Sequence, residues 1–418
     1  MSLSKFGKRF TEHAGIVQLM DDLCEAMANQ DSILMLGGGN PAHIPAVQQF
    51  FQERMQRLAM DPVEFAHTIG DYDLPQGDMR FINALVNFFH RNYGWNISSE
   101  NIALTAGSQS AFFLLFNMFA GEYSEGINKK ILLPMTPEYI GYSDVGLSDH
   151  CLTAYRPVID ILDDHVFKYR PDLENLTIDS NVSAMCVSRP TNPTGNVLTD
   201  TEIDSLYKIA KASGIPLIID NAYGMPFPNI VFTEANIYWD ENIILCMSLS
   251  KFGLPGTRTG IVIARPEIIT SIAKMNAIFN LALGSFGPAL VLDLVNSDEI
   301  MSVCNNVIQP FYKQKALRAL DLFHQELQGV EYYIHKVEGA FFLWLWFPGL
   351  PVSCEELYKR LKERGVLIVP GHYFFPGLDD DWIHKHECIR VSYAMHDSIV
   401  EQGIKLIVEE VKKIYCNG

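Results

Sequence analysis

The middle of the chain alternates short apolar runs with stretches in which apolar residues recur at helical spacing. Short apolar runs that end at polar or Gly/Pro residues are typical of strands buried on both faces of a sheet. They predict strands at residues 102–105, 130–133, 184–188, 217–220, 243–248 and 260–264. Helical spacing predicts helices at 110–120, 138–145 and 199–213, the last capped by Thr199 or Asp200. Strands separated by helices indicate βαβ units and a mainly parallel sheet.

The pattern changes after about residue 310, where strands and helices follow in an order typical of an α+β domain. It predicts a long helix, strands at 332–336 and 340–347, a helix at 353–364, strands at 366–369 and 388–391, and a last helix at 397–415. Residues 34–41 are predicted to form one strand that enters a glycine turn. We therefore expect an N-terminal segment (1–50) that packs with the small domain, a large domain (51–310) and a small C-terminal domain (311–418).

Composition and charge narrow the class of protein. The 418 residues are 48% hydrophobic and 19% charged, which excludes a disordered chain, and the net charge of −17 argues against nucleic acid as a partner. Eight cysteines lie between Cys24 and Cys416 without a C-x-x-C pair, which indicates a reducing compartment. No apolar segment follows the basic N-terminus, and no run is long enough to span a bilayer. The sequence predicts a cytoplasmic protein without membrane contact.

A lysine follows the run 243–248 almost directly, within the segment 248–258, Ser-Leu-Ser-Lys-Phe-Gly-Leu-Pro-Gly-Thr-Arg. Lys251 is expected to be partly desolvated and near the cation of Arg258. Both effects lower the pKa of an amine and make it nucleophilic toward aldehydes. Ser248, Ser250 and Arg258 would supply donors to a phosphate. A surface lysine and arginine in a turn is the alternative for this segment alone, and the pattern of a P-loop is absent from the chain.

Asp220 ends the run 217–220, and Tyr223 follows three residues later. A carboxylate at the end of a buried strand is unfavourable unless it meets a cation. A protonated pyridine nitrogen would be such a cation, and Tyr223 could donate to an oxygen on the same ring. Taken alone, the pair also fits a capping aspartate beside a structural tyrosine.

Two turns bring further polar groups to the same edge of the predicted sheet. Asn192 is at the tip of a turn made rigid by two prolines and a glycine, and the physics requires no more than a turn there. At 106–110 a strand becomes a helix through Gly107, and the free backbone N–H groups near Ser108 and Gln109 form a candidate anion site. A plain N-cap at Ser108 explains the same residues.

The order and spacing of these residues are more specific than any one of them. Asn192, Asp220 with Tyr223, Ser-x-Ser-Lys251 and Arg258 resemble the fold-type I pyridoxal-phosphate enzymes, the aspartate aminotransferase superfamily. The resemblance covers nearly the whole chain. It implies an α/β fold with a mainly parallel, seven-stranded-type sheet sandwiched by helices, and a smaller α+β domain built from the two chain ends. It also implies pyridoxal 5'-phosphate as the cofactor, bound through Lys251, and a homodimer.

Further residues take their roles from the same resemblance. Tyr72, in Tyr-Asp-Leu-Pro-Gln-Gly, resembles the tyrosine that reaches the phosphate of the other subunit. Tyr139 resembles the aromatic residue that stacks on the pyridine ring. Gly38 and Gly39, in the N-terminal glycine segment, and Arg390, in Ile-Arg-Val-Ser-Tyr, resemble residues that bind the substrate. The arginine would bind the α-carboxylate.

The resemblance implies a ping-pong transaminase. Lys251 would bind the cofactor, yield to the substrate amine and then move a proton to and from Cα. Asp220 would stabilise the protonated ring, while Asn192 and Tyr223 bond the ring oxygen and Asn192 also contacts the substrate. The phosphate would be held by Gly107, Ser108, Gln109, Ser248, Ser250, Arg258 and Tyr72. Alternatives are a β-lyase, an aminotransferase of aromatic or broad specificity, or a regulator that binds the cofactor without turnover. The lack of a DNA-binding appendage counts against the regulator.

The substrate class is predicted from charges that the sequence lacks. No Lys or Arg lies between Lys274 and Lys313, and residues 277–284 are mostly apolar. A dicarboxylate would bury an unpaired charge there. We therefore expect small uncharged amino acids, with valine and alanine leading and pyruvate as the acceptor. Arg189 could still supply a second cation.

A metal is not expected. His384, His386 and Cys388 alternate in a way that could suggest ligands, but two exposed histidines that lead into a strand explain the same pattern.

Overall fold

A central sheet of eight strands, seen in the computed structural model, positions the residues discussed above. The structure describes residues 2–11, 33–124 and 126–417, so Cys24 and much of the N-terminal segment lie outside it. The strands of this sheet are β2 (Ile102–Thr105), β3 (Gly121–Glu122), β4 (Asn128–Leu133), β5 (Leu152–Ala154), β8 (Val182–Ser188), β9 (Leu217–Asp220), β10 (Ile243–Ser248) and β11 (Gly260–Ile263). They follow the order β2-β11-β10-β9-β8-β4-β3, and β5 also pairs with β4.

The strand directions confirm a mainly parallel sheet. Strands β10, β9, β8, β4 and β5 are linked by parallel pairing, whereas β11 runs antiparallel to both of its neighbours. The two-residue β3 is antiparallel to β4 and adds an eighth strand to the seven expected. It is short and outside every apolar run, so the hydrophobic pattern gave no sign of it.

Two hydrophobic clusters cover the two faces of this sheet. Along β9, Ile218 belongs to one cluster, while Leu217 and Ile219 belong to the other. Strands β8, β9, β10 and β11 therefore bury both of their faces, which explains why their sequences are almost continuously apolar. The α-helices among the described residues are α1 (Lys5–Arg9), α2 (Pro45–Met60), α3 (Pro62–Gly70), α4 (Met79–Tyr93), α5 (Ser108–Phe119), α6 (Asp200–Ala212), α7 (Pro266–Phe279), α8 (Phe286–Asn296), α9 (Glu299–Val303), α10 (Gln309–Glu326), α11 (Cys354–Glu363) and α12 (Asp397–Asn417).

Local signals place some helices well and one badly. Thr199 is the N-cap of α6, since its side chain accepts from the backbone N–H of Glu202 and the Glu202 carboxylate accepts from Thr199 in return. The helix predicted at 138–145 is wrong, because only a single 3₁₀ turn at Ile140–Tyr142 forms there. No helix among the described residues is long and apolar enough to cross a membrane.

A second sheet has six strands, most of them from the C-terminal part of the chain: β6 (Val158–Asp163), β7 (Val166–Arg170), β12 (Tyr333–His335), β13 (Phe342–Trp346), β15 (Val369–Pro370) and β16 (Cys388–Ser392). They follow the order β15-β16-β13-β12-β7-β6. The predicted strand 34–41 shortens to β1 (Leu34–Met35), which pairs in parallel with β14 (Val366–Leu367). The hairpin β6–β7 joins this sheet from the middle of the chain, so a division by chain position alone separates it from its partners. The proposed domain boundaries stay a prediction.

Candidate active site

Polar side chains gather at the carboxyl ends of three adjacent parallel strands. Ser188 and Asp220 end β8 and β9 side by side in the strand register, and Ser248 ends β10. This is the edge at which open α/β sheets bind ligands. The sequence predicted that the polar clusters would meet at this edge, and these residues do lie there.

Lys251 lies just beyond β10, and its amine donates to the carbonyl of Gly39 at 2.7 Å. The amine is also 5.5 Å from the ring centroids of Tyr223 and Phe341. Burial, followed by the nearby cation of Arg390, lowers the pKa of Lys251 to about 8. A lysine amine with this pKa is neutral far more often at physiological pH than an ordinary one, as a nucleophile requires.

Asp220 is held in one orientation. The Tyr142 hydroxyl donates to its Oδ2 at 2.8 Å, and the backbone N–H of Ala222 donates to its Oδ1 at 3.0 Å. Burial raises the pKa of Asp220 to about 6, although these two hydrogen bonds and the charge of Lys251 oppose that shift. The ionised carboxylate is thus destabilised in the protein alone and would gain from a further cation beside it.

Behind Asp220 runs a buried hydrogen-bonded chain that the sequence did not reveal. The Tyr142 hydroxyl is 3.3 Å from the Ser188 hydroxyl, which in turn hydrogen-bonds the carboxyl group of Glu138. The backbone N–H of Ser188 donates to the other Glu138 oxygen at 2.8 Å. Burial raises the pKa of Glu138 to about 8. Glu138 is thereby connected to Asp220 through two hydroxyl groups.

Arg390 is buried, and its charge acts on the Lys251 amine. Its Nη1 donates to Asn192 Oδ1 at 2.7 Å and its Nη2 to the Gly37 carbonyl at 2.6 Å. The rings of Phe342 and Phe374 have their centroids 4.2 and 5.1 Å from its Cζ. Burial lowers the pKa of Arg390 to about 10. Its Nε is buried with no hydrogen-bond partner among the described residues, so this donor is available to an incoming anion.

The N-terminus of α5 and Arg258 form the third part of the site. Gly107 is the N-cap residue of α5, with φ of 85°, so the N-cap is not Ser108, which is the first helical residue. A Cβ on Gly107 would lie 2.2 Å from Arg258 Nη2, so the guanidinium packs directly against the glycine. Arg258 Nη1 also lies 3.5 Å from Ser250 Oγ. Free N–H groups, a guanidinium and a hydroxyl together suit a phosphate.

The remaining predicted residues surround these groups to different degrees. Ser248 is fully buried, and its Oγ accepts from the backbone N–H of Ser250 at 3.1 Å. A Cβ on Gly141 would meet both the ring of Tyr139, at 2.4 Å, and the amide oxygen of Gln109, at 3.1 Å, so these two side chains border one space. Tyr72 is 83% exposed and contributes nothing to the site of its own chain.

Three side chains at the site were missed by the sequence reasoning: Tyr142, Ser188 and Glu138. The spacing of Tyr139 and Tyr142 was visible, but only the folded chain places Tyr142 against a residue 78 positions away. Arg189 was considered as a second cation for the substrate. Its guanidinium is instead occupied by Asp200 at 2.6 Å and by the carbonyls of Leu198 and Asn236.

A lysine amine and a carboxylate at the carboxyl ends of parallel strands, with a buried arginine near the amine, are the arrangement expected of an aminotransferase. Comparisons with known proteins agree. Residues 35–407 match the family described as aminotransferase class I and II, and the chain belongs to this family. Its fold is that of the fold-type I aminotransferases, and enzymes of the family depend on pyridoxal phosphate.

Its relatives are narrower in kind. The chain is 47% identical over 418 residues, all of both chains, to valine–pyruvate aminotransferase of Escherichia coli K12. The crystal structure of valine–pyruvate aminotransferase from Salmonella typhimurium LT2 is similar with a TM-score of 0.89, at 48% identity and over 97% of this chain and 100% of that one. A structure from Psychrobacter arcticum 273-4, described as an amino-acid aminotransferase, has a TM-score of 0.97 at 51% identity over the whole of both chains.

Proposed function

We propose that this aminotransferase exchanges the amino group between valine or alanine and a 2-oxo acid, with pyruvate as the natural acceptor, in a ping-pong reaction. The observation that carries the proposal is the juxtaposition of Arg390 and Lys251. A buried guanidinium with a free donor lies near a lysine amine, whose pKa is lowered by burial and then by this cation. The first group suits an α-carboxylate and the second lies where an α-amino group would react. The names of the relatives support the choice of substrates.

The residues of the site fit pyridoxal phosphate. Asp220 is a half-buried carboxylate with a raised pKa that a cation would stabilise, as the protonated ring nitrogen would. The close packing of Arg258 on Gly107 makes a cradle for the phosphate together with Ser250. When bound, the cofactor supplies an aldehyde that carries the amino group and a ring that withdraws electrons from Cα.

In this proposal the side chains of the protein have separate tasks: one transfers a proton, and the others orient the substrate and the cofactor ring. Lys251, with its lowered pKa, would take the proton from Cα and deliver it to C4′ of the cofactor, the carbon on the other side of the nitrogen. Asp220 keeps the ring nitrogen protonated, because its carboxylate is already oriented by Tyr142 and Ala222. Arg390 binds the α-carboxylate and so aligns the Cα–H bond with Lys251. Asn192 fixes the guanidinium and remains a proposed contact of the ring oxygen, with Tyr223.

The surroundings of Arg390 favour an uncharged side chain. The rings of Phe342 and Phe374 flank the guanidinium, and Arg189 is already paired with Asp200. A second carboxylate would therefore be desolvated without a partner, which costs several kcal/mol or more. A branched aliphatic group would gain about 1–3 kcal/mol from burial.

We infer that the active unit is a homodimer. Tyr72 belongs to a surface of exposed apolar side chains, of which Leu74, Ile278 and Leu281 are 57%, 82% and 60% exposed. Ser285 donates to Asp73 at 2.6 Å, which joins the two segments that carry these residues. A second copy would cover this surface and bring the partner's Tyr72 to the phosphate site.

We place the enzyme in amino-acid biosynthesis in the cytoplasm. The seven free cysteines among the described residues suit that reducing compartment.

The test is a substrate panel with product analysis. Purified enzyme loaded with cofactor is assayed with valine, alanine, phenylalanine, aspartate and glutamate, each with matched 2-oxo acids, and kcat/KM is compared. We expect valine and alanine to lead. Aspartate or glutamate above both would contradict the substrate class. Release of ammonia in place of transfer to the 2-oxo acid would indicate a lyase and overturn the proposed reaction.

A further inference from the structure

Three potential metal ligands from separate segments converge away from the groups discussed so far. Cys354 begins α11, His372 lies in the 3₁₀ turn Gly371–Phe374, and His386 ends the turn Ile383–His386. Their ligand atoms all lie within 4.8 Å of one another, with Cys354 buried and both histidines half-buried. We call these three residues the Cys-His-His cluster.

His384, His386 and Cys388, which alternate in the sequence, do not form one metal site in the structure. His384 is buried, not exposed, with its Nε2 against the Tyr169 hydroxyl and 3.6 Å from Cys388 Sγ. His386 turns instead toward Cys354 and His372. The alternation 384-386-388 therefore divides between two places, and the sequence pattern gave no reason to look for the second.

The distances in the Cys-His-His cluster already match part of a zinc site. Cys354 Sγ is 3.6 Å from His372 Nδ1. A thiolate at about 2.3 Å and an imidazole nitrogen at about 2.0 Å from one tetrahedral zinc ion would be roughly 3.5 Å apart. The ligand atom of His386 lies within 4.8 Å of the other two, against the roughly 3.5 Å of a bound zinc site. One edge of the coordination tetrahedron is thus preformed.

The second nitrogen of His372 has the partner that a metal-bound histidine usually has. Its Nε2 is 3.0 Å from Glu355 Oε1. A carboxylate in this position accepts the Nε2 proton and directs the lone pair of Nδ1 toward the metal. The one lysine within the turn does not compete, because Lys385 Nζ donates to the carbonyls of Leu378 and Asp380.

We propose that the Cys-His-His cluster binds one zinc ion, with Cys354, His372 and His386 as ligands and a water molecule in the fourth position. The ion would join α11 to the segment 371–386. That segment contacts the active site, since the Phe374 ring flanks Arg390 and its carbonyl accepts the Glu138 N–H at 2.8 Å. Zinc would therefore stiffen the wall of the carboxylate site and take no part in the reaction. This proposal is independent of the substrate assignment.

Cobalt(II) gives the direct test, because a four-coordinate ion with a thiolate ligand shows strong visible bands at longer wavelengths than the cofactor absorbs. Cofactor-loaded enzyme without a histidine tag is titrated with cobalt and then with zinc in competition. We expect one ion per chain, with binding at least tenfold weaker in Cys354→Ser and in His386→Gln. Cys416→Ser, at an exposed thiol outside the cluster, is the matched control and should bind as the wild type does.

Thermal unfolding supplies a second readout that does not depend on colour. Zinc should raise the Tm of the wild type and of Cys416→Ser but not that of His386→Gln. His386 is half-buried, so this variant keeps the test valid if Cys354→Ser folds poorly. Failure of the wild type to take up a stoichiometric ion would overturn the proposal. So would wild-type affinity in His386→Gln, since the ion would then lie elsewhere.

Discussion

Glu138 offers a quantitative test of the buried chain behind Asp220. Replacing it with Gln keeps the shape and both hydrogen-bonding sides. The amide oxygen can accept from the Ser188 N–H, and the amide NH₂ can donate to the Ser188 hydroxyl. Gln cannot ionise, so the substitution removes only the titration of the group. We expect Glu138→Gln to fold and to retain most of its activity at neutral pH.

The magnitude follows from the raised pKa. Its ordinary value of 4.5 rises to about 8 in the folded chain. Between these two values the folded protein keeps a proton that the unfolded chain releases. The contribution of Glu138 to the free energy of unfolding therefore falls by about 1.4 kcal/mol for each unit of increasing pH in that window. The variant has no such loss. Its stability relative to the wild type should grow from near zero at pH 5 to roughly 4 kcal/mol at pH 8.

Urea unfolding at several pH values between about 5 and 8, at one protein and one cofactor concentration, measures this difference. Ionisation of Asp220 occurs in both proteins and largely cancels. Glu241→Gln, at an exposed position, controls for the loss of one negative charge. A difference that stays constant across the window would refute the reasoning, because Glu138 would then be ionised in the folded protein.

The other predictions concern the reacting groups directly. Lys251→Ala should abolish turnover in a steady-state assay, and an undiminished rate would sink its assignment. Asp220→Asn should raise the activation free energy of the single-turnover half-reaction by several kcal/mol and change cofactor affinity little. Equal or negligible effects on both would reject its role. Tyr142→Phe should raise the activation free energy of the same step by about 1–2 kcal/mol, because a hydrogen bond to Asp220 is lost. A rate equal to that of the wild type would show that Tyr142 does not assist Asp220. Confirmed heterodimers of Tyr72→Phe and Lys251→Ala chains should exceed both parents in activity, and no recovery would argue against a tyrosine acting across the dimer.

Six of the eight strands of the central sheet could be predicted closely because most of their residues are buried, whereas the short strands β3 and β5 were not predicted. The run 217–220 was predicted and observed with the same limits, since a continuous apolar stretch ends at the one polar residue that faces the site. The same reasoning failed at 138–145. There Glu138 is anchored by the Phe374 carbonyl, and Tyr142 by Asp220, so contacts distant in sequence hold the segment out of a helix. Local periodicity carries no record of such contacts.

The candidate site divides in the same way. Residue types and their order were enough to nominate Lys251, Asp220 and Arg390, because each belongs to a short motif. Their connections were not predictable, since Arg390 meets Asn192 across 198 positions and Lys251 meets Gly39 across 212. The hairpin β6–β7 shows the same limit at the level of the fold, because its partner strand β12 follows more than a hundred residues later.

Counting protons along the buried chain shows why two carboxyl groups can share it. Three contacts join Glu138, Ser188, Tyr142 and Asp220 in sequence, and each needs one proton. The two hydroxyl groups supply two of them. The Ser188 hydroxyl donates to an ionised Glu138, whereas a protonated Glu138 would supply the third proton and let Ser188 donate to Tyr142 instead. An ionised Glu138 would leave the Ser188–Tyr142 contact without a hydrogen and place a second negative charge near the first. The pKa of Glu138 is raised further than that of Asp220, which favours Asp220 as the anion of the pair, at the position where the cofactor ring would need one.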